Sequence, residues 1–134
     1  MKIRIKGNSL RFRLTRQETA QLAAEGSVEN ETEIAGQVFR YAVQSGAEAA
    51  VTSAFLDPYR IRVVVPAAIV ASWATSEAVG FYAEQPTPGG GSLSIAVEKD
   101  FRCLDPRRDE DESDHFENPL AGQTHDLACA PGAE

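Results

Sequence analysis

The amino-acid sequence predicts an α+β domain: a curved antiparallel sheet or partly open β-barrel of about seven or eight strands with two helices, in the order β-β-α-β-β-β-β-α-β-β. Three observations carry this expectation. Apolar and polar residues alternate with period two in KIRIKGNSLRFRL and again in RIRVVV and SLSIAVE, the pattern of half-buried strands. Helix-start signals stand out at two places, Thr15 and Pro66. Short turn motifs separate successive strands, and short turns join antiparallel neighbours.

Residues 2 to 14 read as a hairpin. Ile3 and Ile5 alternate with Lys2, Arg4 and Lys6; beyond Gly7-Asn8, Leu10, Phe12 and Leu14 alternate with Arg11 and Arg13. Gly in the first loop position suits a two-residue type II′ turn, whose twist matches that of the strands. Such a turn pairs Lys6 with Ser9, Ile5 with Leu10, Arg4 with Arg11, Ile3 with Phe12 and Lys2 with Arg13, which puts every apolar side chain on one face. Thr15 and Glu18 then form a T-x-x-E capping box, so a helix runs from Arg16 to Glu25 and stops at Gly26. Its apolar stripe, Leu22 with Ala20 and Ala23, is thin. VENETEIAG, QVFRYAVQS and AAVTSAFLD follow as strands, divided at Ala35-Gly36 and Ser45-Gly46, and Asp57-Pro58 turns the chain into YRIRVVVP. Pro66 opens the second helix, AAIVASWATS, in which Ile69, Val70 and Trp73 share the face that docks on the sheet. VGFYAEQ and SLSIAVEKDF are the last strands, joined by PTPGGG. No internal repeat is visible.

With 134 residues, 43% of them apolar and 25% charged, the composition is that of one soluble domain. No segment nears the ~20 apolar residues of a membrane span, and VVVPAAIVASWA is broken by Pro66. The N-terminus lacks the apolar core of a secretory signal, so a cytoplasmic location with Cys103 and Cys129 reduced is expected. Residues 1–101 form the predicted domain, 102–120 an acidic segment packed on it, and 121–134 a flexible tail.

The basic sheet face is the most informative feature. Arg4 opposite Arg11 and Lys2 opposite Arg13 are like-charge cross-strand pairs, unfavourable unless something compensates them. Arg40, Arg60 and Arg62 add to the set, each beside inward-pointing residues. Lys2, Arg4, Arg11, Arg13, Arg40 and Arg62 are therefore candidate anion-binding residues, because a guanidinium meets phosphate bidentately. The competing reading is that carboxylates of the same chain neutralise them. Glu98 and Asp100 have outward parity on the last strand, and Asp109, Glu110, Asp111 and Glu112 lie in DEDESD just beyond. Lys99 has inward parity and is expected to snorkel outward from a strand end.

Other chemistries lack the residues they need. No Ser, Cys or Thr sits in a nucleophile motif and there is no phosphate loop, so no catalytic residue is assigned. DEDESDHFENPL places Asp109, Asp111 and Ser113 as a calcium loop would, but Asp114 stands where Gly is needed and Leu120 where Glu is needed. Cys103, His115, His125 and Cys129 match no zinc spacing. Glu29, Glu31 and Glu33 share a strand face as in triphosphate-tunnel enzymes, but that signature requires Lys at the position of Ala35; a solvated edge strand is the simpler reading. No metal and no cofactor is expected. A net charge of −7 argues against bulk nucleic-acid binding, though not against a local basic patch.

MKIRIKGNSLRFRLT at the start, with SIAVEKDFRCL and EDESDHFENPL near the end, resembles a family of small bacterial proteins known only as a domain of unknown function. The resemblance spans most of residues 1–120. It implies a free-standing cytoplasmic protein and carries no activity and no site residues. The leading expectation is a non-enzymatic binding or interaction module whose basic face is neutralised by its own acidic C-terminal segment, with an anionic ligand or a protein as partner. The alternative is a protein that binds or processes a phosphorylated small molecule on that face.

Overall fold

The computed structural model describes residues 1–101 and residue 116. The elements follow the expected order: β1 (Lys2–Ile5), β2 (Ser9–Leu14), α1 (Arg16–Glu25), β3 (Ser27–Ile34), β4 (Gln37–Gly46), β5 (Ser53–Asp57), β6 (Arg60–Pro66), α2 (Ala67–Ala74), β7 (Gly80–Pro86) and β8 (Ser92–Lys99). The α+β class holds, but the sheet architecture is different. The strands form two four-stranded mixed sheets, β1-β2-β8-β7 (sheet A) and β3-β4-β6-β5 (sheet B), which do not close into a barrel. Each hairpin is antiparallel, as its short turn requires. The hairpins join side by side through parallel pairs, β2 with β8 and β4 with β6. Turn length constrains only strands adjacent in sequence; which hairpins meet is decided by burial. The expected single antiparallel sheet therefore gives way to two mixed ones.

The topology contains a repeat. Each half of the described chain reads β-β-α-β-β, and exchanging the halves maps sheet A onto sheet B, with β1-β2 taking the place of β5-β6 and β7-β8 that of β3-β4. The registers supply the equivalences. Leu10, Arg11 and Phe12 on β2 correspond to Ile61, Arg62 and Val63 on β6, and Ala96 beside Arg11 corresponds to Ala42 beside Arg62. Few side chains are shared, which is why the sequence does not display it.

Local signals set the element ends. The β1-β2 register is the expected one, and Gly7 has φ 53 while Asn8 stays at negative φ, as a type II′ turn demands. Glu18 N–H donates to Thr15 Oγ1 at 3.3 Å and Thr15 N–H to Glu18 Oε1 at 2.9 Å, completing the capping box. Gly26 ends α1 at φ 87, with its N–H on the Leu22 carbonyl. The buried residues of α1 are Leu22 and Thr19; Ala20 and Ala23 are exposed. Pro66 is the N-cap of α2, which buries Val70 and Trp73 but leaves Ile69 exposed, because the short helix rests on a narrow face. β5 begins only at Ser53, so the first part of AAVTSAFLD is not strand.

The inner faces of both sheets line one core. Phe12, Leu14 and Val97 of sheet A meet Val43, Val63 and Val65 of sheet B, all fully buried, with Leu22 of α1 and Val70 and Trp73 of α2 in the same cluster. Each such side chain contributes about 1.5–3 kcal/mol of burial. Trp73 donates its indole N–H to the Val79 carbonyl at 3.2 Å and meets the Phe81 ring edge-on at 5.2 Å. Where β7 and β5 approach, the Gln85 amide bonds both the N–H and the carbonyl of Ala54, at 2.6 and 3.1 Å, in place of a strand ladder. Among the described residues no helix is long and apolar enough to cross a membrane. Because the inner faces share one core, the outer faces look in opposite directions.

Candidate functional site

Side chains alternate across a strand, so residues in register form rows over the sheet. The outer face of sheet A carries the rows Lys2, Arg13, Glu98, Gly80 and Arg4, Arg11, Ala96, Tyr82, then Ser9, Ser94, Glu84 with Lys6 joined to Ser9. Lys2, Arg4, Lys6, Arg11 and Arg13 thus share this face with Glu84, Glu98 and, just past β8, Asp100. Of the sequence-predicted cations, Lys2, Arg4, Arg11 and Arg13 are brought together here. Arg40 and Arg62 lie on the outer face of sheet B, across the core, so the six do not form one cluster.

Glu98 is the hub of the face. Its Oε1 lies 3.5 Å from Nε of both Arg11 and Arg13, and Tyr82 donates its hydroxyl to Oε2 at 2.9 Å. Gly80, opposite Glu98, leaves the space this needs: a Cβ there would stand 2.5 Å from the Val97 carbonyl oxygen and 2.8 Å from Glu98 Cγ. Partial burial, then the bond to Glu98 and its charge, push the Tyr82 hydroxyl above its ordinary value, with Arg11 and Arg13 opposing, so it stays a donor. Lys2 Nζ lies 3.6 Å from Asp100 Oδ2. The Ser94 and Ser92 hydroxyls donate to Glu84 at 2.7 and 2.8 Å and hold its carboxyl below the usual value. Between these rows is a concavity of about 330 Å³ over Ala96, lined also by Arg4, Lys6, Ser9, Arg11, Tyr82, Glu84 and Ser94.

The outer face of sheet B is occupied differently. Arg40 pairs with Glu31 at 3.2 Å, Arg60 with Glu29 at 2.8 Å and Arg62 with Asp57 at 2.8 Å, and the Arg62 guanidinium lies 4.3 Å from the centre of the Phe55 ring. Beneath this lattice Ala42 is 1% exposed, whereas its counterpart Ala96 is only half-buried. Glu29 and Glu31 serve as ion-pair partners, and among the described residues no group of three His, Cys, Asp or Glu side chains could hold a metal. Asp109, Glu110, Asp111, Glu112 and the set Cys103, His115, His125 and Cys129 lie outside the described residues.

Lys99 does not snorkel into solvent. It is 6% exposed, donates to the Ser76 carbonyl at 2.6 Å and sits 5.9 Å from the Trp73 ring and 5.3 Å from the Phe116 ring. Burial lowers its pKa, with Glu77 opposing. Phe116 donates its N–H to the Asp100 carbonyl at 2.9 Å and packs its ring on Phe101 at 5.8 Å. Sequence reasoning put Lys6 on the charged side of the hairpin without naming it as a site residue, and missed Tyr82, Glu84 and Ser94 as members of the face. The available signal was parity: Tyr82 and Glu84 alternate with the inward Phe81 and Ala83, and Ser94 with Ile95.

The fold and this face define a small α+β domain of two mixed sheets with one cation-rich outer surface. The chain belongs to the family of unknown function DUF7009, which matches residues 1–120 and bears out the resemblance to an uncharacterised domain. No match was found among curated proteins or solved structures.

Proposed function

We propose that the domain is a non-enzymatic binding module whose sheet A face holds anionic groups, the resident occupant being the acidic segment of its own chain. The observation that carries this reading is the contrast between equivalent faces. Where sheet B places Asp57 and Glu29, sheet A places Lys6 and Tyr82, so two carboxylates that neutralise one face have no counterpart on the other. The tether supports the acidic segment as occupant. Phe116 is held at the end of β8, beside Asp100 and close to the row of Lys2 and Arg13. At ~3.5 Å per residue, the seven residue steps from position 109 to Phe116 correspond to a chain length of at most about 25 Å. Exposed ion pairs contribute little singly, so the segment can yield to an external polyanion or an acidic partner.

The test uses the full chain with Asp109, Glu110, Asp111 and Glu112 changed to the corresponding amides, titrated with polyphosphate. Affinity should rise about tenfold over the parent chain, fall steeply with salt, and be lost on adding Arg11→Ala and Arg13→Ala. Equal affinity of parent and amide variant would remove the acidic segment from the reading, and no polyphosphate binding by either would remove the anion-binding face.

A further inference from the structure

The concavity over Ala96 has two chemically different ends, and their spacing describes a ligand. Lys6 and Arg11 stand on its β1-β2 side, Glu84 and Ser94 on its β8-β7 side. Arg11 and Glu84 lie two strands apart across the sheet and two residues apart along it, so their side chains leave the sheet about 12 Å from one another. Between them Ala96 forms a low floor, and the Tyr82 ring, 63% exposed and held by its hydroxyl bond to Glu98, forms a wall.

We infer that this concavity binds a phosphorylated polyol of pentose or hexose size: the phosphate meets Lys6 and Arg11, the sugar lies over Ala96 against the Tyr82 ring, and its hydroxyls donate to Glu84. The inference rests on the anion-binding reading of the face and names the ligand of one part of it.

Each contact follows from the chemistry present. The Arg11 side chain is 37% exposed and its Nε lies 3.5 Å from Glu98, longer than a good hydrogen bond, so the guanidinium keeps donors for a phosphate. Each Glu84 oxygen accepts one serine hydroxyl, which leaves acceptor capacity on both for neighbouring hydroxyls of a polyol. The same carboxylate, kept ionised by those serines, repels a second phosphate, so this end selects against an extended polyanion. The volume of about 330 Å³ is at the small end of the range for small-molecule sites. Sheet B is the internal control: at the place of Ser94 it has Arg40 bound to Glu31, at the place of Tyr82 it has Glu29 bound to Arg60, and Ala42 is covered.

The test is calorimetry on the full chain and on the amide variant described above, with inorganic phosphate, ribose, ribose 5-phosphate and polyphosphate as probes. Ribose 5-phosphate should bind at least about tenfold more tightly than phosphate, and ribose should not bind measurably. Glu84→Gln should abolish that advantage, so that ribose 5-phosphate binds no more tightly than phosphate, and Arg11→Ala should weaken both phosphates. Equal affinity for phosphate and ribose 5-phosphate, or an advantage that survives Glu84→Gln, overturns the polyol assignment even when polyphosphate binds. Failure of every anion to bind either protein overturns the anion-binding reading as well.

Discussion

Sheets A and B are two versions of one topology, and their outer faces resolve the same problem in opposite ways. Sheet B sets arginines on both inner strands, β4 and β6, around Ala42, whereas sheet A sets them on β1 and β2 beside Ala96. Sheet B surrounds Ala42 with one carboxylate for each guanidinium, Glu31 to Arg40, Glu29 to Arg60 and Asp57 to Arg62. Sheet A asks the single carboxylate of Glu98 to serve both Arg11 and Arg13, and adds Lys6 where sheet B has an acid. A face with locally matched charges needs nothing further. A face whose ion pairs are shared and long holds its charges less tightly matched, which is the difference the proposed anion-binding role rests on.

The contrast is open to direct tests, beginning with the core beneath it. Phe12 and Val63 are equivalent and fully buried, so Phe12→Ala should cost about 3–5 kcal/mol and Val63→Ala about 2 kcal/mol in urea unfolding. Equal losses would mean that sheet A gains no extra anchoring from its larger side chain. Gly80→Ala comes next, at about 1–3 kcal/mol, because the new methyl meets the Val97 carbonyl; Ser27→Ala at the corresponding place in sheet B should stay within about 0.5 kcal/mol. If both are neutral, the close approach that seats Glu98 is not needed.

Removing the shared charge should have a smaller effect. Glu98→Gln leaves the neighbouring Arg11 and Arg13 without their shared carboxylate and should destabilise by about 1 kcal/mol at low salt, shrinking in 1 M salt, while exposed Glu31→Gln should be near neutral. Loss of equal size at both sites would erase the distinction between shared and matched pairs. The smallest effect is a titration. The Glu84 carboxyl is held low in the folded protein, so its favourable contribution is present above the unfolded value and fades as pH falls through the folded one. Ser94→Ala should move the Glu84 midpoint upward toward its ordinary value, read by carboxyl NMR; an unmoved midpoint would show that the hydroxyl does not hold it.

Legibility in the sequence followed the range of the interactions. The basic hairpin was readable because the pairing of Arg4 with Arg11 is fixed by a two-residue turn and by alternation within thirteen residues. Its neighbour across the sheet was readable only in part. The outward parity of Glu98 was clear, but that β8 lies parallel beside β2, bringing Glu98 between Arg11 and Arg13, depends on a contact some eighty residues away along the chain. Tyr82 and Glu84 were hidden for the same reason. Lys99 was misread because parity states only which way a side chain points, whereas the Ser76 carbonyl and the Trp73 ring that receive its amine come from α2 and the segment after it.

By itself, then, the sequence determined the β1-β2 register, the Thr15–Glu18 capping box and the stop of α1 at Gly26, all settled by atoms a few residues apart. It also determined that positive charge would collect on one side of the first hairpin. Only the tertiary structure decided that two hairpins would join through parallel inner strands, that the chain repeats its topology, and that Arg40 and Arg62 would face away from Arg11 and Arg13. Those outcomes rest on burying the apolar faces of both sheets in one core, a condition that no single segment carries and that is met only when the whole chain packs.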